Sequence, residues 1–600
     1  MVLERIPFEP KEPPSNPAAE FYVPKFIYHD PDGPDSVNIK EEFFGSRKKL
    51  RIAVQGAGIS CFQFLHHLQI SGIPPGSIDV VVYEKNHDVG GVWLTTKCPG
   101  CRSDNAGVVY QFAWKRNVWS EYYPQQPETL EYLRRVAREE GFYEYMKFRH
   151  EIKKAEWRDE EAKWTLTVED LQAGQQFEDK VDMFLELLGP VSEKKITIKG
   201  LDEFKGQVVH PAEWPQDLDL QGKRVAVVGY GSSGVQIIPS IIDKVDHLYI
   251  LPPPAIELGS PKGGHFKYSS EQKQLLKDPD VHLAYAKAID AAQYTRLPSY
   301  INGGELSEQG SAGVKAYMKS VLAPKPGLYE SIEPTDFDLL CRRPTFGYGY
   351  LEALASSKCT VLTPPPTRFT SSGILDAAGK EHPVDVIIAA TGYDQSHQPR
   401  YPKFVNGEDI SSRWRSWSSP PSYMAMTMEG MPNYFQIGSA YGVLYGSFFP
   451  PSEAMAKYIV QVISKVQLER ISHLRPKTRA VEHFTRHADS FLERTVLSGP
   501  CVAWYKNRSG KPATWPGMRS HFLKALEIPR YEDYEIVYDD EEDMFEYLGN
   551  GFLEGVDDGS EGADPGWFMG VPTKEVDMSV VGRLSGKYGI VQGQQAEPRL

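Results

Sequence analysis

Residues 52–61 read IAVQGAGISC, and residues 225–234 read VAVVGYGSSG. In each stretch an apolar strand runs directly into a glycine-rich turn, and residues with helical spacing follow. Such a unit lets backbone N–H groups approach a pyrophosphate at the positive end of the helix. Two units on one chain predict an α/β fold with two Rossmann-like dinucleotide-binding domains, and therefore two bound dinucleotides.

The first turn is predicted to bind FAD. Gly56 and Gly58 form a tight turn, and Cys61 replaces the usual third glycine. Glu84 closes the next strand, where a carboxylate can accept hydrogen bonds from ribose hydroxyls. The Gly-Gly-Val-Trp turn at 90–93 follows and is typical of a segment that lies against a flavin. Its predicted cofactor contacts are Val92, Trp93 and Thr95.

The second turn carries a complete Gly-x-Gly-x-x-Gly pattern and is predicted to bind a nicotinamide cofactor. A nicotinamide that reduces a flavin must reach it, so the segment between the two turns is expected to set the geometry of the domains. The predicted contacts of the second turn are Gly229, Gly231, Ser232, Ser233, Gly234 and Gln236.

Composition narrows the class of protein. The net charge is −14, and residues 531–565 contain fourteen Asp and Glu without Lys or Arg, so nucleic acid is not an expected partner. No stretch of about 18 uninterrupted apolar residues and no apolar signal core occurs, which favours a soluble, cytoplasmic protein without a transmembrane segment. The final Pro-Arg-Leu only loosely resembles a peroxisomal tripeptide. Six cysteines are too sparse for a disulfide framework and are typical of a reducing compartment. The oligomeric state stays open.

Shifts in composition predict how the domains are arranged along the chain, with a mainly helical insertion in the second Rossmann-like domain. The predicted segments are an N-terminal arm (1–47), the FAD-binding domain (48–185 and 384–530), the NADP-binding domain (186–264 and 336–383), the helical insertion (265–335) and an acidic C-terminal extension (531–600).

The linker ahead of the second turn carries the most specific motif. Residues 204–215 read FKGQVVHPAEWP, which matches the pattern FxGxxxHxxxW(P/D) at every fixed position. This segment resembles the fingerprint of type I Baeyer–Villiger monooxygenases, which are FAD-dependent members of the flavin-containing monooxygenase superfamily. We expect Phe204 and Trp214 to anchor the linker in apolar surface and Gly206 to fix a bend. His210 either hydrogen-bonds across the domain boundary or is an ordinary satisfied histidine.

Other segments carry the same resemblance between about residues 48 and 555. CPGCRSD (98–104) is similar to the family's YPGxRxD, and RRPTFGYGYLEAL (342–354) is similar to its KRPxxxxxYYExx. The resemblance implies that Arg343 is the catalytic arginine and that Asp104 lies by the flavin and orients it. ATGY (390–393) and residues 504–517 resemble cofactor-side segments of the family. The implied flavin contacts around the first of these segments are Arg102, Ser103, Asp104, Asn105 and Tyr110.

One departure concerns the choice of nicotinamide. Relatives have Arg followed by Ser or Thr after the second strand of the nicotinamide domain, where they hold the 2′-phosphate of NADP. This sequence has Leu251 and Pro252 at about that place, and neither can pair with a phosphate. The resemblance implies that Arg342 can take this role, but NADPH and NADH both stay open.

Cys98 and Cys101 form a CxxC pair, which suggests a redox or zinc site as an alternative. In glutathione-reductase-like flavoenzymes the first redox cysteine follows the glycine turn directly, and Trp93 occupies that position here. No further thiolates or imidazoles are spaced for zinc, so we predict no metal.

The resemblance implies a reaction. NADPH reduces FAD, O2 adds to give a C4a-peroxyflavin, and Arg343 stabilises negative charge while one oxygen atom is inserted next to the carbonyl of a bulky hydrophobic ketone. The product is an ester or lactone, whereas protonation would release hydrogen peroxide, so a dry, closed pocket is required. The chain also resembles long members from secondary metabolism. The alternatives are a heteroatom- or carbon-hydroxylating flavin monooxygenase and a flavin-binding protein with impaired nicotinamide use.

Overall fold

The structure is a computed structural model that describes residues 37–577 except 190, 192, 197, 199, 252–263, 295–296, 334, 343–344, 346, 348, 367, 558–562, 565, 572–574 and 576. Two compact units are present. The larger consists of Leu50–Val462 and Leu474–Glu535, and the smaller of the described parts of Met1–Lys49, Ile463–His473 and Ile536–Leu600. Within the described residues, no helix combines the length and the apolarity that a membrane crossing requires.

The chain alternates short strands and helices. The strands are β1 Leu50–Gln55, β2 Ile78–Glu84, β3 Met146–Phe148, β4 His150–Arg158, β5 Lys163–Asp170, β6 Gln175–Val181, β7 Met183–Glu186, β8 Gln207–Val209, β9 Arg224–Val228, β10 His247–Leu251, β11 Cys359–Val361, β12 Arg368–Phe369, β13 Gly373–Leu375, β14 Glu381–Pro383, β15 Val386–Ala389, β16 Lys403–Val405, β17 Glu408–Asp409, β18 Ser422–Tyr423, β19 Thr427–Met428, β20 Tyr434–Gln436, β21 Ile471–Pro476 and β22 Tyr534–Tyr538. The α-helices are α1 Ile59–Gln69, α2 Val92–Thr95, α3 Gln126–Glu139, α4 Ser232–Ile241, α5 Ser270–Leu275, α6 Pro279–Tyr294, α7 Glu305–Leu322, α8 Leu328–Ile332, α9 Tyr350–Ala355, α10 Ile410–Arg415, α11 Phe449–Leu468, α12 Thr478–Leu492 and α13 Arg519–Ala525.

Two parallel sheets form the centre of the larger unit. The first has the order β20-β7-β1-β2-β3, and the second has the order β11-β10-β9-β15-β8. The strands β1 and β9 lie at the middle of their sheets and are almost fully buried, as their continuous apolar sequences predict. Each runs into a glycine turn and then into a helix, α1 or α4. The predicted α/β fold with two Rossmann-like domains is therefore confirmed.

Two further elements agree with the sequence patterns. Residues 154–170, whose apolar and polar residues partly alternate, form an antiparallel hairpin in which Trp157 of β4 lies opposite Trp164 of β5. The region 265–335 contains the helices α5 to α8, which agrees with a mainly helical insertion. Residues 1–36 of the predicted N-terminal arm and 578–600 of the predicted acidic extension lie outside the described residues.

A buried ion pair supports the first sheet beneath its glycine turn. The Nζ atom of Lys403 lies 2.9 Å from Oε2 of Glu186, and both side chains are almost fully buried. Burial alone would raise the pKa of Glu186, but the Lys403 ammonium and the donated hydrogen bond of Tyr434 outweigh it and hold that pKa below its ordinary value. The charged pair fixes the end of β7, and the next residue, Leu187, packs behind the turn.

Candidate active site

The first glycine turn is held by backbone contacts that only glycine allows. Gly56 has a φ of +96°, and a Cβ atom there would lie 3.3 Å from the carbonyl oxygen of Leu187. Glu84 is buried, and its Oε2 atom accepts a hydrogen bond from the N–H of Ala57 at 2.9 Å. Glu84 therefore fixes the turn itself, and its contact with a ribose stays a prediction.

The second glycine turn is packed equally closely. Gly229 has a φ of +109°, and a Cβ atom there would lie 2.2 Å from the carbonyl oxygen of Ala390. A Cβ atom on Gly234 would lie 2.3 Å from the carbonyl oxygen of Gly229. Helix α4 begins at Ser232, so its first N–H groups face the turn as an anion site requires.

Both turns open onto one cavity of about 1230 Å³ in the larger unit. That volume is larger than a pocket for one small ligand, for which about 300–1,000 Å³ is usual. The cavity places the predicted flavin side and the predicted nicotinamide side of the site within one space. The predicted site residues on its wall are Gly58, Val92, Asp104, Tyr110, Gly229, Gly231, Ser232, Ser233 and Arg342.

Several other predicted residues lie behind the wall and support it. Asn105 donates from Nδ2 to Oδ1 of Asp104 at 2.7 Å, which orients the carboxylate on the cavity wall. The hydroxyl of Ser103 accepts from the backbone N–H of Asn105 at 3.1 Å. Trp93 donates from its indole N–H to the hydroxyl of Tyr110 at 3.1 Å. The predicted residues that do not line the cavity are Gly56, Glu84, Trp93, Thr95, Arg102, Ser103, Asn105, Gly234 and Gln236.

Arg102 and Gln236 join the two predicted domains instead of lining the cavity. Gln236 accepts from the N–H of Arg102 at 3.2 Å and donates to its carbonyl oxygen at 3.0 Å. The Arg102 guanidinium is directed to the imidazole of His265, with Nη1 2.8 Å from Nε2, and lies 3.7 Å from the carboxylate of Glu121. The amide of Gln236 is thus a clamp between α4 and the segment 98–104.

Arg342 stands on the nicotinamide side of the cavity, and no carboxylate of the described residues forms an ion pair with it. Its guanidinium carbon lies 4.8 Å from the ring centre of Tyr230 and 5.0 Å from that of Phe337. The Nε and Nη1 atoms are buried and form no hydrogen bond with the part of the chain that the structure describes. Arg343, the predicted catalytic arginine, lies outside the described residues, so its role stays a prediction.

Leu251 and Pro252 stand at about the place where Baeyer–Villiger relatives have Arg followed by Ser or Thr. Leu251 ends β10 and is buried in an apolar cluster with Phe204 and Ala226. It is therefore a core residue and makes no polar contact for a phosphate. Pro252 lies outside the described residues.

The linker is anchored as its sequence predicts. Phe204 is buried, and Trp214 packs against the apolar core of the second sheet. A Cβ atom on Gly206 would lie 2.4 Å from the Phe204 ring, so only glycine fits the bend. His210 is buried, and burial lowers its pKa.

The two ring nitrogens of His210 have different partners. Nδ1 accepts from the N–H of Ala212 at 3.1 Å, so Nε2 carries the proton of the neutral ring. Nε2 lies 3.1 Å from the carbonyl oxygen of Gly392, which belongs to the ATGY turn on the cavity wall. His210 therefore connects the linker to the wall of the site.

The cysteines require one correction. Cys341 and Cys501 form a disulfide, which the sequence did not predict, because six cysteines are too sparse for a disulfide framework and are typical of a reducing compartment. Their separation of 160 residues gives no spacing signal, so only the tertiary structure reveals the pair. Cys98 and Cys101 remain thiols, and a hydrogen bond with Cys101 together with burial raises the pKa of Cys98. A raised pKa disfavours the reactive thiolate that a redox site needs.

His397 on the cavity wall was missed by the sequence patterns. It follows the ATGY turn and has a φ of +56°. Burial and the neighbouring Arg400 lower its pKa to about 4, so the ring is neutral near pH 7. His397 belongs to none of the sequence motifs described above. Only the tertiary structure shows that its loop lies on the cavity wall.

Comparison with known proteins agrees with this geometry. The model of the flavin-binding monooxygenase-like family matches residues 48–251. The FAD-binding monooxygenase tazF of Aspergillus terreus is 33% identical over 525 residues, which cover 84% of this chain and 92% of that protein. The FAD-binding monooxygenase stcW of Emericella nidulans is 31% identical over 526 residues, with 84% and 86% covered. The chain belongs to the FAD-binding monooxygenases.

More distant relatives include the Baeyer–Villiger enzymes. A Baeyer–Villiger monooxygenase of Pseudomonas aeruginosa is 28% identical over 485 residues, which cover 79% of this monooxygenase and 88% of that protein. The predictions of an FAD-dependent enzyme and of a relationship to Baeyer–Villiger monooxygenases are therefore confirmed.

Solved structures share the fold. Cyclohexanone monooxygenase from Rhodococcus sp. Phi1, bound to NADP+, has a TM-score of 0.69 at 22% identity, with 82% of this monooxygenase and 100% of that chain covered. OTEMO in complex with FAD and NADP has a TM-score of 0.70 at 20% identity, with the same coverage. The cofactors of those two structures agree with the pair that the two glycine turns predict.

Proposed function

We propose that this monooxygenase uses NADPH and FAD to insert one oxygen atom from O2 next to the carbonyl of a bulky hydrophobic ketone, which gives an ester or lactone. One observation carries the proposal: the two glycine turns, Asp104 and Arg342 line a single cavity. A nicotinamide held at one turn can therefore reach a flavin held at the other without leaving the protein.

The residues present fit both cofactors. Gly58 and the start of α1 would hold the FAD pyrophosphate, and Ser232 at the start of α4 would hold that of the nicotinamide. Arg342 would pair with the 2′-phosphate of NADPH, because the residue lines the cavity and its Nε and Nη1 atoms have no hydrogen-bond partner among the described residues. FAD, when bound, supplies hydride acceptance and the activation of O2.

Asp104 and Arg343 would carry the charge that the reaction needs. Asp104 faces the cavity, and its orientation is fixed by the amide of Asn105. We propose that this carboxylate holds the Arg343 guanidinium toward the reacting oxygen. A fixed positive charge there would stabilise the oxyanion formed on a ketone carbonyl, and it would do so without reorganisation of water.

The remaining wall supports an apolar substrate. The segments after Gly442 and Gly499 contribute large apolar side chains to the cavity. They offer surface to a hydrophobic ketone and also keep water from the reacting atoms. The side chains concerned are Leu444, Phe448, Val502, Trp504 and Tyr505.

The test is oxygenation of a panel of polycyclic ketones by purified, FAD-loaded protein with NADPH, followed by mass detection of products. We expect ester or lactone from at least one ketone. Arg343→Ala should retain FAD and lose the ester by a factor of about 10² or more, because one preorganised charge is removed. Arg368→Ala, an exposed arginine of β12, is the matched control and should keep the wild-type rate.

Other outcomes separate the alternatives. An N- or S-oxide without ester would favour a heteroatom-hydroxylating flavin monooxygenase. A flavin that keeps its yellow colour on anaerobic mixing with NADPH would favour a flavin-binding protein with impaired nicotinamide use, for which the burial of Leu251 is the supporting observation.

A further inference from the structure

The disulfide lies where the cavity wall is closed by two segments that are distant in sequence. Cys341 directly precedes Arg342, and Cys501 belongs to the segment 498–510, all of which lines the cavity. The Cα atoms are 6.1 Å apart, and the sulfurs are bonded at 1.96 Å. The disulfide therefore connects Cys341 and Arg342, which we call the arginine segment, to the segment 498–510 of the cavity wall.

Two further contacts at the same place, from Tyr505 and Lys506 to Cys341, join the two segments without a covalent bond, and a third lies within the segment 498–510. The hydroxyl of Tyr505 donates to the carbonyl oxygen of Cys341, and the ammonium of Lys506 donates to that of Gly499. Nζ of Lys506 also lies 3.8 Å from Sγ of Cys341. These contacts would keep the cysteines near each other after reduction, so the bond can form again in the folded protein.

The Lys506 ammonium lies beside the Cys341 sulfur, and a cation there favours the thiolate of Cys341, which is the form that attacks the sulfenic sulfur of Cys501 in the second step below. Cys98 and Cys101 are the comparison, because they are three residues apart in sequence but form no disulfide. The groups that shift the pKa of Cys98 include no lysine or arginine. Cys341, next to Arg342, thus differs from Cys98 and Cys101 in two ways: it forms a disulfide, and the Lys506 ammonium lies beside it.

We propose that Cys341 and Cys501 are a redox-dependent positioning pair that closes the cavity wall when hydrogen peroxide escapes from the site. The inference rests on the proposed function, because an oxygen-activating flavin that fails to oxidise its substrate releases hydrogen peroxide. Cys501 lines the cavity and meets that peroxide before it reaches bulk solvent. The bond then holds the segment 498–510 against the arginine segment, which excludes water and lowers further loss of peroxide.

The oxidation balances with hydrogen peroxide as the only oxidant. The Cys501 thiolate attacks one peroxide oxygen, an S–O bond forms, the O–O bond breaks, and the hydroxide that leaves takes up the thiol proton as water. The Cys341 sulfur then attacks the sulfenic sulfur, the S–S bond forms, the S–O bond breaks, and a second water leaves. Two thiols lose two electrons and two protons, and one peroxide becomes two waters.

The experiment compares two redox states of the FAD-loaded wild-type protein, one treated with a phosphine reductant and one with hydrogen peroxide. Peptide mass mapping verifies the Cys341–Cys501 link, and amide hydrogen exchange reports on residues 498–510. With NADPH and a ketone present, the peroxide formed per NADPH consumed is then measured. We expect slower exchange and an about two-fold or greater drop in that ratio in the linked state.

Variants separate the pair from general thiol chemistry. Cys501→Ser and Cys341→Ser should both show the peroxide ratio of the reduced wild type and should not respond to peroxide treatment. Cys359→Ser is the matched control, because Cys359 is a buried free cysteine of β11 and should leave the redox response intact.

Three results would overturn the proposal: no link after peroxide treatment, equal exchange in two verified states, or a peroxide ratio that is equal or higher in the linked state. If NADPH is not consumed at all, the proposed function fails. The mass mapping and the exchange measurement need no turnover and still decide whether the pair closes the wall.

Discussion

At the scale of single residues, we propose that Arg342 is the side chain on which the choice of nicotinamide depends. Two aromatic rings hold its guanidinium, and Nε and Nη1 have no hydrogen-bond partner among the described residues. Burying such donors is costly unless a ligand satisfies them. Since Leu251 is buried in the apolar core, we propose Arg342 as the phosphate partner on the cavity wall.

The first prediction concerns the variant Arg342→Ala. We expect the KM for NADPH to rise about 10- to 100-fold, because charge-assisted hydrogen bonds to a phosphate contribute about 1.5–3 kcal/mol. The KM for NADH should change little, since NADH lacks the 2′-phosphate. Steady-state kinetics with both nucleotides measure this, and Arg368→Ala serves as the control. Equal losses with NADPH and NADH would contradict the assignment.

The second prediction concerns His210 and pH. Because burial lowers its pKa, the folded protein keeps the ring neutral while the unfolded chain takes up a proton below about pH 6.5. The stability that His210 contributes is thus present above that pH and lost as the pH falls. His210→Asn cannot titrate, so the gap in melting temperature between wild type and variant should narrow between about pH 7.5 and about pH 5. Parallel melting curves across this range would refute the assignment.

How far the sequence predicts the site differs from residue to residue. The positions of Gly56, Gly229 and His210 follow from motifs, because each motif reflects a local backbone requirement that the structure confirms. The partners of Glu84 and Gln236 do not follow, because a side chain chooses among groups that only the fold brings near. The structure shows contacts of Glu84 with Ala57 and of Gln236 with Arg102 that the motifs did not predict, and the expected cofactor contacts of both residues stay predictions.

At the scale of elements, the segment 98–104 of the first predicted domain packs closely against α4 of the second. Gly100 has a φ of +75°, and a Cβ atom there would lie 2.4 Å from the carbonyl oxygen of Gln236 and 2.2 Å from the hydroxyl of Ser240. The clamp between Gln236 and Arg102 depends on this approach. The spacing of the two glycine turns therefore depends on it as well.

The third prediction is that Gly100→Ala separates α4 from the segment 98–104. We expect a loss of about 1–3 kcal/mol in the free energy of unfolding from overpacking, with FAD retained and slower flavin reduction by NADPH. Stopped-flow absorbance of the bound flavin measures the reduction. Gly174→Ala is the matched control, because Gly174 has a similar φ of +66° but open space around it. If both variants reduce flavin at the same rate, the close approach has no role in coupling the cofactors.

The elements themselves were predicted well where a local pattern determines them. The strands β1 and β9, with the turns and helices that follow, could be predicted because their apolar runs and glycines lie close together in sequence. The link between Cys341 and Cys501 could not, since a contact across 160 residues depends on the path of the whole chain. Helix α3 begins at Gln126, and Pro127 fits the first turn of a helix, where a backbone N–H has no intrahelical partner.

At the scale of the whole molecule, the decisive feature is that one cavity serves both glycine turns. The sequence predicts two dinucleotide sites but not that they face one another, because their relative placement depends on the linker and on the long-range contacts of the two sheets. The monooxygenase joins them through His210, Gln236 and the wall that Arg342 shares. A nicotinamide at one turn and a flavin at the other would then share this cavity.

The most direct measurement supplies isotopically heavy dioxygen to FAD-loaded protein with NADPH and a ketone that it converts. The account predicts that the product is an ester or lactone that carries one heavy oxygen atom, with one NADPH consumed for each product formed. An ester without the label, or NADPH consumption that yields only hydrogen peroxide with every ketone tested, would contradict it.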